Sequence, residues 1–110
     1  MMTQELNTTW TAIEQETVQK AFNTAYKRES AAILQLVQTK AGAIAELDDL
    51  WHLNDFLNAR RHELDGKYDS HSSAVLFTFA GLIKEGWLQI EELQTLSQDK
   101  LAKINALARM

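Results

Sequence analysis

The chain has no proline, no cysteine and only four glycines in 110 residues, and each shortage excludes something. Without proline, every position keeps its backbone N–H donor and nothing compels a helix to kink or stop. Without cysteine there is no disulfide, no thiolate metal site and no thiol nucleophile, which is compatible with a reducing compartment. Basic charge is also scarce. Eleven Lys and Arg stand against 15 Asp and Glu for a net charge of -4, and only the pairs Lys27 with Arg28 and Arg60 with Arg61 adjoin. Nucleic acid is therefore not expected as a partner. The longest apolar run, residues 74–83, contains Thr78 and Gly81 and falls far below the roughly 20 residues that span a bilayer. The opening MMTQELNTTW lacks the basic and apolar blocks of a secretory leader. These absences together predict a soluble, cytoplasmic protein.

What is abundant is helix-forming: Ala, Leu, Gln, Glu and Lys dominate, so the expected fold class is all-α. Thr11 followed by Glu14 is a capping-box pattern. From there Ile13, Val18, Phe22, Tyr26, Ile33, Val37, Ile44 and Leu47 recur at helical steps, predicting one helix of about 35 residues. A helix that long in so small a chain finds too little core within its own subunit, which points to a homodimer. Asp48 or Asp49 suits the N-cap of a second helix, whose end is signalled by Gly66 and the polar run KYDSHSS. Ser72 or Ser73 can cap a third helix carrying Val75, Leu76, Phe79, Leu82 and Ile83, with Gly86 placed to stop it. A last helix carries Ile90, Leu93, Leu96, Leu101, Ile104 and Leu107. The expected organisation is a flexible N-terminus over 1–10, an elongated helical dimerisation region with a long N-terminal helix over 11–68, and a small helical head over 69–110.

The densest chemistry lies in residues 48–69, DDLWHLNDFLNARRHELDGKYD. Leu50, Leu53, Leu57 and Leu64 form an apolar stripe for packing. On a second face Trp51, Asn54, Asp55, Asn58, Arg61 and His62 follow the same spacing, and Trp and Arg are the types most enriched among interface hot spots. Trp51 reads as a partner anchor or as a residue half-buried beneath the first helix. Asp55 and Arg61 project about 120° apart around a helix, so their partners lie elsewhere, or both are solvated, or Arg61 pairs with Asp65. Asp49 with His52, and His62 with Asp65, each offer two ligands where a catalytic zinc needs about three. No metal and no cofactor are expected, and a histidine that hydrogen-bonds a partner is the better reading. Neither a Ser-His-Asp order nor a phosphate loop nor a nucleophile elbow is present, so no enzyme is expected. Phe77 falls off the stripe of its helix; it is either exposed or part of a second buried face, where Ala74 and Gly81 would admit another helix. Lys103 is a lone cation that composition reads as solvated.

At these residues the chain resembles the cyanobacterial fluorescence recovery proteins, from Trp10 to its end. The most specific parts are DDLW, LNDFL, the triplet Arg61, His62, Glu63, then DGKYD, EGWLQIEEL and KINALAR. The resemblance implies an elongated, all-helical homodimer with a head on each subunit, acting without enzymatic chemistry. Such a regulator binds the photoactivated, red form of the orange carotenoid protein through that protein's C-terminal domain. It speeds return to the orange form and promotes release from the phycobilisome, restoring antenna fluorescence. Carried onto this chain, the family's partner-binding patch falls on Trp51, Asp55 and Arg61, with Asn54 and His62 beside them, and on Phe77 and Lys103 of the head. The implied dimer interface takes in Leu50, Trp51, Leu53 and Leu57. Lys103 rests on the resemblance alone. His52 stands where the family pattern has glutamine, and Trp87 occupies a more variable position. No nucleic acid or small-molecule substrate is implied, and membrane association is at most peripheral, on the cytoplasmic face of the thylakoid. The competing readings are a dimeric all-helical adaptor for another protein partner and a small metalloprotein using the histidine faces.

Overall fold

Thr11 opens the first helix in the way its spacing to Glu14 requires. In the computed structural model, which describes residues 10–68 and 74–110, the Thr11 hydroxyl accepts the Glu14 N–H at 3.0 Å and the Glu14 carboxylate accepts the Thr11 N–H at 3.0 Å. Two orphaned donors are thereby satisfied reciprocally, and helix α1 runs Ala12–Gly42. It stops before the acidic cluster that was expected to end it. The Ala43 N–H turns back onto the carbonyls of Ala41 and Lys40, and the Asp49 carboxylate accepts the N–H groups of Ala45 and Glu46 at 3.0 and 3.1 Å. Those two bonds reverse the chain into helix α2, Leu47–Lys67, whose N-cap is Glu46 and not Asp48 or Asp49. Asp49 acts from inside the first turn, where the helix dipole favours a carboxylate. The N–H groups of Ala45 and Glu46 hold it below the ordinary carboxylate range, against the smaller opposing effect of burial. Gly66 lies within α2, one residue before its end.

The head begins with helix α3, Val75–Glu85. Its expected serine caps, Ser72 and Ser73, lie outside the described residues. Gly86 ends α3 as its position predicts, at φ 90°, a left-handed conformation that only glycine adopts without strain. The single last helix expected from Ile90 onward is two pieces: a 3-10 turn over Ile90–Leu93 and helix α4 over Gln98–Ala108. Ser97 makes the division, because its side chain caps the Lys100 N–H at 3.4 Å and its own extended backbone interrupts the helix. Phe79, Leu82, Leu88, Leu93 and Ile104 are the largest fully enclosed side chains. Helix α1 closes this core with Ala21, Phe22 and Ala25, and Trp10 covers its edge. The buried core thus takes side chains both from residues 75–104 and from the N-terminal half of α1.

Beyond that core the molecule is a two-helix arm. Its extents are 55 × 29 × 25 Å and its radius of gyration is 17.2 Å, where a compact chain of this length has about 13 Å. The accessible surface of 7766 Å² likewise exceeds the roughly 6,200 Å² of a compact monomer of this mass. Past Glu29 no residue of α1 is buried, and α2 has none at all.

Candidate protein-interaction surface

The leucine stripe of α2 is only partly covered within the chain. Leu50 and Leu57 remain 42% and 41% exposed, while Leu53 and Leu64 are half-buried. Among the described residues no third element lies over this two-helix hairpin, so no layer covers a stripe on its outer side. Phe56 makes the inward contact instead: the Lys40 ammonium lies 4.9 Å from its ring centroid and the Arg60 guanidinium 5.3 Å. Leu47, adjoining the stripe at the start of α2, and Leu34 on α1 are also exposed. An elongated apolar surface is left open along the arm.

The second face is displayed as its spacing predicted. Trp51, Asn54, Asp55, Asn58, Arg61 and His62 are all exposed, with Trp51 at 54%. Trp51 is thus no core residue of the isolated chain. On the head, Phe77 is 65% exposed, which decides against a second buried face beside α4. Lys103 is exposed on α4. Asp49 and His52 share a cleft of about 190 Å³ with Lys40, Ala43 and Leu53. Among the described residues no three His, Asp or Glu side chains come together as a metal site.

Sequence reasoning missed the residues that hold the arm and head in place. Glu29, 4% exposed on α1, accepts the Tyr68 hydroxyl at 2.7 Å and the Lys67 ammonium at 2.8 Å. Lys67 also pairs with Glu85 at the end of α3, and the Trp87 indole N–H donates to that same Glu85 oxygen at 3.0 Å. Tyr68 stacks edge-on against Phe22 and Tyr26, 6.1 and 5.4 Å between centroids. Burial and the neighbouring Glu29 carboxylate push its phenol well above the usual tyrosine range. One residue away, Arg28 grips Glu92 through two bonds of 2.8 Å and donates to the Trp87 carbonyl at 3.0 Å. A second buried acid, Glu14, accepts the Ser97 N–H at 2.8 Å and the Lys100 ammonium at 2.9 Å, and that ammonium also lies 4.4 Å over the Trp10 ring. Apart from the local Trp87–Glu85 bond, these hydrogen-bonded partners stand 18 to 86 residues apart in the chain, beyond the reach of any helical periodicity. The one available signal was compositional: Glu14 and Glu29 sit on the apolar side of an amphipathic helix, where a carboxylate demands a partner.

The geometry describes an all-helical protein that keeps an indole, a guanidinium, two amides and several leucines in the open on one arm. Comparison gives its class: a model of the photoprotection regulator fluorescence recovery protein family matches residues 10–108. The fluorescence recovery protein of Synechocystis sp. PCC 6803 is 48% identical over 109 residues, covering 99% of this chain and 100% of that protein. The solved structure of the Fremyella diplosiphon fluorescence recovery protein superposes with a TM-score of 0.88 at 53% identity, covering 92% of this chain and 99% of the other. That of the Synechocystis protein gives 0.89 at 50% identity with the same coverage. The chain belongs to the fluorescence recovery protein family, a family of photoprotection regulators.

Proposed function

We propose that this chain binds the photoactivated, red form of the orange carotenoid protein through that protein's C-terminal domain, accelerates its return to the orange form and promotes its release from the phycobilisome. Family membership across residues 10–108 supports the reading. The single structural observation that carries it is an arm helix with no buried residue, bearing exposed Trp51, Asp55 and Arg61 on a face that adjoins exposed Leu50 and Leu57. Asn54 and His62 flank the first group, and Phe77 and Lys103 add contacts from the head. Leu50, Trp51, Leu53 and Leu57 form a homodimer interface, so that 11–68 works as the dimerisation region and 69–110 as the head. A regulator of this kind changes no bond. By binding the closing transition state, or a compact intermediate, more tightly than the open red state, it lowers the barrier to reversion without being consumed. No helix among the described residues is long and apolar enough to cross a membrane, and contact with the thylakoid is peripheral, through the phycobilisome.

The test is the dark recovery of photoactivated orange carotenoid protein, followed by absorbance at fixed low temperature with and without a substoichiometric amount of this chain. Acceleration that turns over more than one carotenoid protein per dimer establishes the activity. A folded chain that leaves recovery of the cognate carotenoid protein unchanged overturns it and leaves a helical adaptor for another protein.

A further inference from the structure

Helix α2 contributes nothing to the buried core, yet it is held at a defined angle to the head. Among the described residues its recorded side-chain ties to other elements lie at two levels. At the level of the turn, Phe56 sits under the Lys40 ammonium of α1. At the far end, Lys67 and the adjoining Tyr68 reach both α1 and the head. The Lys67 ammonium is shared between Glu29 of α1 and Glu85 at the end of α3, so three helices meet on one charge. Lys67 and Glu29 are nearly enclosed, at 16% and 5% side-chain exposure, where a paired charge is strongly coupled and an unpaired one is costly. Arg28 completes the joint by fixing the next stretch of head, Trp87 and Glu92, to the adjacent turn of α1.

The surfaces assigned to the partner fall on both sides of this joint: Trp51, Asp55 and Arg61 on the arm, Phe77 and Lys103 on the head. Two contacts on one rigid body reinforce each other by effective concentration, and that gain vanishes when their relative geometry is lost. We infer that Glu29, Lys67 and Tyr68, closed onto the head by Glu85, are positioning residues: a latch that fixes the angle of α2 to the head so that the arm face and the head face engage one partner molecule together. The functional half of this inference rests on the proposed function; the latch itself does not.

The chain has no cysteine, so the pair Ala59→Cys on α2 and Ala106→Cys on α4, both at exposed positions, carries two unique spin labels. Samples diluted with unlabelled chain report intrachain distances by pulsed dipolar spectroscopy, and dark recovery of the carotenoid protein is measured on the same variants. Lys67→Met and Tyr68→Phe are expected to broaden the arm-to-head distance distribution and to cut the acceleration about tenfold, less than the ~10²-fold that a linked second contact can supply. Helical circular dichroism stays at the parent value, and Tyr68→Phe guards the fold because it keeps both ring contacts. Lys67→Arg, which can still bridge two carboxylates, restores the narrow distribution and the rate. An unchanged distribution in Lys67→Met overturns the latch. Slower recovery with a narrow distribution overturns it too, since these residues would then act by direct contact. A broadened distribution with unchanged acceleration overturns its role in partner engagement. A parent chain without any acceleration overturns the proposed function, while the distances still decide the latch.

Discussion

Replacing Glu14 by alanine removes more than a capping side chain. Its carboxylate accepts the Thr11 N–H, the Ser97 N–H and the Lys100 ammonium within 2.8 to 3.0 Å, and it is 4% exposed. One reciprocal capping bond contributes about 1 kcal/mol, and bonds to a charged group about 1.5–3 kcal/mol. Lys100 also sits over the Trp10 ring, which softens its loss of a partner. With the lower end of each range the expected cost is about 4 kcal/mol, or a fall of roughly 15–20 °C in Tm at this chain length. Urea titration followed by circular dichroism, at one fixed protein concentration, measures it. The pH dependence adds an independent check. Burial acts to raise the Glu14 pKa, but the Thr11 N–H, the Lys100 ammonium and the Ser97 N–H outweigh it, and the net shift is downward. A carboxyl group whose folded pKa lies below its unfolded value contributes stability that is present above the unfolded pKa and lost as pH falls through the folded one. Tm should therefore decline as pH drops below about 4.3, and Glu14→Gln should flatten that decline. A loss under about 1 kcal/mol in Glu14→Ala, or an acid profile unchanged in Glu14→Gln, would refute the claim that this carboxylate fastens α1 to the head.

Trp51→Ala should leave the helical circular dichroism signal near the parent value while slowing recovery of the carotenoid protein; a large loss of helical signal would make Trp51 a structural residue instead. If the proposed dimer forms through the leucine stripe, the parent should scatter light at twice the chain mass and Leu50→Glu combined with Leu57→Glu at the single chain mass; an unchanged double mass would place the contact elsewhere. Gly86→Ala should destabilise the head by about 1 kcal/mol through backbone strain alone, since an added Cβ there meets no atom within 4 Å; chemical denaturation reads it. In alkaline titration followed at the tyrosinate band, the late ionisation step should vanish in Tyr68→Phe. A phenol raised above its unfolded pKa stabilises the fold at lower pH, and that contribution is lost as pH rises through the folded value.

Legibility in the sequence followed the range of the interaction. The capping box at Thr11 and Glu14 and the stop at Gly86 are written in residues three or four apart, and both were readable. The exposed face of Trp51, Asn54, Asp55, Arg61 and His62 was readable for the same reason, since a helical spacing defines a face whether or not anything covers it. The leucine stripe was readable only in part, because spacing shows that a face is apolar but not which molecule covers it, and Leu50 and Leu57 stay 42% and 41% exposed in the chain. Asp49 was read as an N-cap where it caps from within the first turn, and the break at Ser97 was hidden by apolar residues that continue the helical step on either side. The joint made by Glu29, Lys67, Tyr68 and Glu85 had no local signature, since each partner comes from a different helix and the pairing depends on where α1, α2 and α3 cross.

Helix α1 belongs to two territories: its first half is sealed into the head core, and its second half, with α2, has no interior of its own. One continuous backbone therefore carries two stabilities. The head half draws its protection from a core within the chain, whereas the distal half has no such core, and a molecule that covered it would protect it by an amount that depends on how much of that molecule is present. Under the proposed dimer, concentration thereby becomes a structural variable for the arm but not for the head.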